Sequence, residues 1–387
     1  MIIFTPHFLP GYKAGGVLRS VVNLVNHLHN KHDIKVVTSD RDLGDDTPYS
    51  ESDKERQFIK NCSVEYVNSY SCILRALFSI LDANKVRASK ECLLLNGIFN
   101  LKFSLIPLFF SLILLKKQVD IYLFPRGELG EGAIKNKSFL KKAYLQFLSI
   151  TGVLDKIQIV FTDEKEVSEL KMALSNAKFK YQIVPDLPNF SHSPIKVGLN
   201  LFKSGSLIKF VFVGRVSKIK NIHFMIELFK SIKTHDVTLD IYGEVEDENY
   251  YHECLDLVKS SPDNVTVNFL GPIEYKYIPE KISSGHFLVL LSLSENFSHV
   301  IAESLFLGVP VLISDKTPWT DLVRDNDLGH VVELDDKTTD INKIIVGLID
   351  GMEKTERGVL SSRAKKCVNT HFKFIEKVDG VFNEYSK

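Results

Sequence analysis

The sequence predicts an α/β protein of two domains, each a parallel sheet covered by helices. Short β-branched or apolar runs alternate with amphipathic stretches along the whole chain, the pattern of parallel strands joined by helical crossovers. At 387 residues the chain exceeds one ordinary core and suits two domains of about 150–200 residues each. Near its middle, residues 185–194 read PDLPNFSHSP, a proline-punctuated stretch that neither a helix nor a central strand tolerates. The inter-domain hinge is expected there.

Strands are predicted in the first half at residues 2–5, 34–38, 64–67, 93–96, 121–124, 158–162 and 181–184. In the second half they are predicted at 208–213, 238–242, 266–270, 287–293 and 309–314. The opening MIIFT runs straight into Pro6 and His7; without a basic n-region and a long apolar h-region it reads as a first strand rather than a signal peptide. Residues 40–54 are polar enough to suggest a mobile loop. The greasiest stretch, FSLIPLFFSLILL at 103–115, holds Pro107 and is flanked by Lys102, Lys116 and Lys117. A spanning helix needs about 20 apolar residues, so this one reads as a buried helix over a sheet face, with a segment resting on a membrane surface as the alternative.

Lys plus Arg equals Asp plus Glu at 48 each. No basic field advertises nucleic acid, and any anionic ligand must be held by a local site. Cys62, Cys72, Cys92, Cys254 and Cys367 are odd in number and form no C-x-x-C, which fits a reducing cytosol with the thiols as core filler.

The most informative segment is LSLSENFSHVIAESLFLGVPVLISDKTPW, residues 291–319, where Glu295 and Glu303 are spaced E-x7-E. Between residues 300 and 314 Glu303 is the one formal charge, and a lone acid in so apolar a helix needs a partner. The preceding Asn296, Phe297, Ser298 and His299 deliver the N–H groups of a helix start, which favour an anion. Amides for phosphate beside carboxylates for hydroxyls suit a sugar nucleotide. Two other loops offer phosphate contacts. Gly15-Gly16 precedes a helical pattern at Val17, Val21, Leu24, Val25 and Leu28. In FVGRVSKIKN, at 212–221, Arg215 and Lys220 flank a loop after a strand, a fork and a point charge suited to a diphosphate. There is no G-x-G-x-x-G or Walker A pattern, which counts against dinucleotide oxidoreductases and P-loop enzymes.

Together these residues resemble a family 4 retaining glycosyltransferase of the GT-B fold, of the bacterial surface-polysaccharide type. The resemblance rests on Gly214, Arg215 and Lys220, the I-Y-G turn at Gly243, FLGP at 269–272, the E-x7-E segment closing on Gly308-Val309-Pro310, and more loosely on the Gly15-Gly16 loop and PRGEL at 125–129 followed by Lys141-Lys142. It implies two Rossmann-like domains with parallel sheets facing across a cleft. Residues 1–190 would bind the acceptor, 191–370 the nucleotide sugar, and 371–387 would form a C-terminal helix packing back on the first domain.

The resemblance also implies roles. Arg215, Lys220 and Glu295 would be catalytic, the two cations holding the donor diphosphate and Glu295 the sugar hydroxyls. Gly15, Gly16 and Gly214 would let phosphate approach the backbone, the amides of Phe297, Ser298, His299 and Val300 would meet sugar and phosphate, Glu303 would take the ribose, and Pro272 would mark the base-reading edge. Three departures stand out. Ser298 replaces a glycine of the relatives' Glu-x-Phe-Gly loop, Arg126-Gly127 stands where relatives carry His-Gly, and Pro185-Asp186 stands where they often show Pro-Asn. Arg is no base at neutral pH, so His7, Arg126 and Glu128 are acceptor-side candidates, with His7 and Glu128 available as bases.

The implied reaction is hexosyl transfer with retention from a nucleoside-diphosphate sugar, a UDP-sugar ahead of a GDP-sugar, to a saccharide or lipid-linked saccharide. The cations would stabilise the leaving diphosphate. With no D-x-D at a strand end, no metal and no cofactor beyond the donor are required. The expected location is cytoplasmic, peripheral at the inner face of the plasma membrane, with Lys135, Lys137, Lys141 and Lys142 drawing the chain to an anionic leaflet. The alternatives are a weakly catalytic nucleotide-sugar-binding subunit of a polysaccharide-assembly complex and a GT-B epimerase or phosphorylase.

Overall fold

The computed structural model describes residues 1–55, 59–84, 91–115, 119–130, 138–174, 177–189, 207–336 and 340–385. The chain divides into two compact units, Met1–Leu187 with Phe374–Lys387, and Pro188–Lys373. Of the expected hinge at 185–194, residues 185–189 are described, and the rest lies outside the described residues.

The first unit is built on β1 (Ile2–Phe4), β2 (Ile34–Ser39), β3 (Cys62–Val67), β4 (Glu91–Asn96), β5 (Val119–Phe124), β6 (Gln158–Phe161) and β7 (Lys180–Ile183). They form one parallel sheet in the order β3-β2-β1-β4-β5-β6-β7. The second unit holds β8 (Ile208–Val213), β9 (Val237–Tyr242), β10 (Val265–Gly271), β11 (Phe287–Leu290), β12 (Val311–Ser314) and β13 (Gly329–Val332). Its parallel order is β10-β9-β8-β11-β12-β13. Both are Rossmann-like sheets, the α/β architecture predicted above.

Burial explains why these runs are strands. Every residue of the central β1, β4, β11 and β12 is buried, whereas the edge strands β3 and β7 keep solvent-facing positions. A strand covered on both faces is apolar along most of its length, and each buried Val, Leu, Ile or Phe contributes roughly 1.5–3 kcal/mol. Two predicted strands are shorter than expected by two residues or more. Pro310 has no N–H for the ladder, so β12 begins at Val311. Past Leu290 the chain turns outward, and Leu293 N donates to Ile219 O at 2.8 Å instead of continuing β11. Strand β13 was not predicted; Gly329-His330 breaks its apolar run to two valines.

Residues 103–115 are helical, but not one buried helix. A π-helical turn (Leu101–Leu105), an α-helical turn (Ile106–Phe110) and a second π-helical turn (Ser111–Leu115) follow one another. Asn100 caps the first, its side chain accepting from Lys102 N and Phe103 N at 3.0 and 2.9 Å. Phe103, Pro107, Leu108 and Leu115 face the core, while Leu101, Ile113 and Leu114 are exposed. No helix of the described residues is long and apolar enough to cross a membrane. Residues 40–50 form a loop and Glu51–Glu55 a short helix. Asp40 and Asp42 are buried, and Asp42 accepts the amides of Tyr12, Lys13 and Leu43; the polarity of this stretch feeds a hydrogen-bond network. Among the thiols, Cys92 and Cys254 are buried and the other three half-buried.

The helix Phe374–Phe382 and the turn after it belong to the first unit. Asp379 pairs with Lys31 and His27 at 2.7 and 2.9 Å, and Tyr385 Oη donates to Asp120 at 2.7 Å.

Candidate functional site

In a doubly wound sheet the ligand crevice lies at the carboxyl ends of the strands where the order reverses. In the second sheet that point falls between β8 and β11, adjacent strands whose crossovers leave in opposite directions. The loops leaving them carry Gly214, Arg215 and Lys220 on one side and Glu295 to His299 on the other.

The structure brings Lys220 and Glu295 together. Lys220 Nζ lies 2.6 Å from Glu295 Oε1, with side chains only 16% and 8% exposed. Arg215 instead pairs with Glu246 at 2.5 Å, and both are about half exposed. Glycines allow the crowding. A Cβ on Gly243 would sit 1.8 Å from Gly214 O, so the β8 and β9 ends approach as closely as they do because Gly243 has none.

The helix His299–Phe306 follows the second loop. Its N-cap, Ser298, has φ 65° and ψ 77°, a left-handed conformation, and makes no side-chain cap. The position that relatives fill with glycine thus keeps glycine's geometry here, at a cost of about 1–2 kcal/mol for a residue with a Cβ. Phe297 is buried, its ring packed at a tilt 5.2 Å from that of fully buried Trp319, whose Nε1 donates to Phe297 O. The Phe297 side chain therefore fixes the loop, leaving only its backbone for a ligand. His299 is buried and Val300 partly so, both at the helix start with its amides. Glu303, 3% exposed, accepts from Tyr275 Oη at 2.8 Å. Tyr275 follows β10 by way of exposed Pro272.

The first sheet reverses between β1 and β4. The loop after β1 carries His7 and ends in Gly15, whose φ of 58° starts the helix Gly16–Leu28 with Gly16 exposed. His7 Nδ1 is buried without a hydrogen-bond partner. Burial pulls its pKa below the usual value, with Asp42 opposing, so the imidazole is neutral near pH 7. Glu128 Oε2 accepts the amides of Ile98 and Phe99 at 2.7 and 3.0 Å. Burial raises its pKa against those bonds, and it holds the backbone after β4. Arg126, at φ 54°, is buried and ion-paired with Asp186, with Nε donating to Asn96 at 3.0 Å. Burial lowers its pKa to about 10, so it remains a cation at neutral pH. Asp186 also accepts from Ser20 Oγ at 2.6 Å. Lys135 and Lys137 lie outside the described residues.

Glu246, Tyr275 and Asp186 are the partners that sequence reasoning missed as such. Each is distant in sequence from the residue it pairs with, and the one available signal was the unmet need of Glu303, Arg215 and Arg126 for counter-groups.

Residues 201–366 match the family model of glycosyl transferases group 1. The capsular polysaccharide biosynthesis glycosyltransferase CapM of Staphylococcus aureus is 28% identical over 184 residues, 46% of this chain and 46% of that protein. Spore coat protein SA of Bacillus subtilis is 22% identical over 185 residues, 46% of this chain and 48% of that protein. These matches span about half the length of the curated relatives. Among solved structures, Anabaena Alr3699/HepE in complex with UDP and glucose aligns with TM-score 0.69 at 12% identity, over 99% of this chain and 98% of that one. Sucrose-phosphate synthase from Thermosynechococcus elongatus aligns with TM-score 0.68 at 15% identity, over the same shares. The fold is GT-B, and the second unit carries the glycosyl transferases group 1 sequence pattern.

Proposed function

We propose that this chain is a retaining hexosyltransferase that uses a nucleoside-diphosphate sugar, a UDP-sugar ahead of a GDP-sugar, to extend a saccharide or lipid-linked saccharide in bacterial surface-polysaccharide synthesis. The Lys220–Glu295 pair at the β8/β11 reversal carries the reading. In a nucleotide sugar the hydroxyls of the ring and the oxygens of the β-phosphate are a few bonds apart, so their protein partners must be neighbours of opposite charge. A carboxylate for hydroxyls and an ammonium for phosphate, 2.6 Å apart, meet that requirement.

On donor binding Lys220 exchanges Glu295 for the phosphate, and Arg215 leaves Glu246 to join it. As the anomeric bond breaks, the electron pair stays with the diphosphate. Lys220, Arg215 and the amides opening the His299–Phe306 helix neutralise that charge where it develops. Glu295 holds the donor sugar and Glu303 the ribose. Retention follows if the acceptor attacks from the face the diphosphate leaves, with a phosphate oxygen taking the acceptor proton. The two cations take the place of a metal ion. The names of CapM, a capsular polysaccharide glycosyltransferase, and of HepE, complexed with UDP and with UDP-glucose, support the substrate class.

The test is thermal stabilisation by UDP and GDP, then turnover of UDP-sugars with and without lipid-linked acceptor in excess chelator. Stabilisation by UDP and chelator-resistant transfer are expected; neither nucleotide stabilising the protein would overturn the reading. Binding without turnover on any acceptor would favour a binding subunit, the role suggested by Arg126 standing in the relatives' His position.

A further inference from the structure

We propose that one face of the first unit is a docking surface for anionic lipid, formed by the helices Tyr70–Asn84 and Ser138–Ile150 and the helical turns at 101–115. This inference stands apart from the transfer reaction.

The helix Ser138–Ile150 buries Leu145 and Leu148 completely, yet its opposite side is not polar. Phe139 is 81% exposed, Ile150 82%, Leu140 68% and Phe147 49%. Residues 139, 143, 147 and 150 share one helical face by spacing and read Phe, Ala, Phe, Ile. The adjoining turns expose Leu101, Ile113 and Leu114, and the helix Tyr70–Asn84 exposes Tyr70, Leu74 and Phe78. Ring pairs join the three stretches into one surface. Phe109 meets Phe147 at 5.9 Å and Phe78 meets Phe110 at 5.2 Å. Exposed apolar patches larger than a few hundred Å² are uncommon on a soluble monomer and mark an interaction site.

Charge selects the occupant. Across residues 70–84, 101–115 and 138–150 the formal charges are Arg75, Asp82, Lys102, Lys141 and Lys142, four cations to one carboxylate. Over the whole chain, by contrast, cations and carboxylates balance at 48 each. Lys102 lies over the Tyr70 ring and Lys141 over the Phe99 ring, so the cations are interleaved with the aromatics. A second copy would place this patch against itself about a two-fold axis, cation facing cation. Anionic headgroups with acyl chains beneath them offer the complementary pair, negative charge for the cations and an apolar layer for the Phe and Ile side chains. The segment 103–115, read in the sequence as buried or surface-resting, does both, with one side in the core and the other on this face.

The experiment is flotation of the full chain with phosphatidylcholine vesicles, with and without about a third phosphatidylglycerol, at about 0.05 M and about 0.5 M salt. Co-flotation is expected with the anionic vesicles at low salt, falling several-fold at high salt. A Phe139→Ser/Ile150→Ser variant and an Arg75→Glu/Lys142→Glu variant should each bind roughly tenfold less with unchanged melting temperature. Wild type failing to float with anionic vesicles at low salt would overturn the proposal. So would concentration-dependent dimerisation, seen by light scattering, that the Phe139→Ser/Ile150→Ser change abolishes.

Discussion

Tyr275 Oη donates to Glu303 Oε1 across 2.8 Å, joining the loop after β10 to the helix that follows β11. A nearly fully buried carboxylate in an apolar helix is thereby held in one orientation.

From this pairing, Tyr275→Phe should weaken UDP binding about fivefold, the value of roughly 1 kcal/mol for one hydrogen bond, with little change in melting temperature. The check is calorimetric titration with UDP and with its 2′,3′-dideoxy analogue. If Tyr275 acts by orienting Glu303 toward the ribose, the variant loses affinity for UDP and not for the analogue. Equal losses for both would instead place Tyr275 on the base.

The two cations should differ on mutation. Arg215→Ala breaks a half-exposed pair and should lower kcat/KM about 10²-fold or more at unchanged stability. Lys220→Ala leaves Glu295 buried without its counter-charge, so it should lose activity and also melt early. Glu295→Gln combined with Lys220→Ala should recover part of the stability and none of the activity. Paired melting and kinetic measurements on the three variants decide the matter.

Ser298→Gly should raise stability by about 1 kcal/mol, because the left-handed N-cap conformation costs a serine what it does not cost a glycine. A thermal melt of the two proteins suffices, and a lower melting temperature in the variant would refute the account.

His286 gives a pH dependence with a defined sign. Its Nδ1 accepts from Lys209 N at 2.9 Å, and burial, with Arg357 and Lys209 nearby, lowers its pKa to about 4. The folded state keeps the ring neutral while the unfolded chain takes up a proton below about pH 6.5. The stability it contributes is therefore complete above pH 6.5 and drains away as pH falls toward 4. His286→Asn, which keeps an acceptor without the titration, should flatten the melting temperature over that window.

The sheets were legible because parallel central strands are largely apolar, as β1 and β11 illustrate. Strand β13 escaped because an edge strand with two valines leaves no run to detect. The site was legible as loops and as a need for partners: Lys220 and Glu295 were each singled out, and their contact was not. Pairing across crossovers is decided by strand order, which the sequence states only indirectly. Nothing local distinguishes Glu246 from its acidic neighbours, or Tyr275 from Tyr277, as the group that meets Arg215 or Glu303. In the stretch 40–54 polarity has two sources that a sequence does not separate, exposed loop side chains and the buried Asp42, which receives three amides.

The ion pair of Arg126 with Asp186 unites two of the departures from the relatives' pattern that the sequence presented separately. Either substitution made alone would strand a buried charge, at a cost of about 3–5 kcal/mol, so the two positions form a single heritable unit. A lineage could exchange them only together or through a weakened intermediate. Arg126→His without also replacing Asp186 would be a step downhill in folding before any question of catalysis arose.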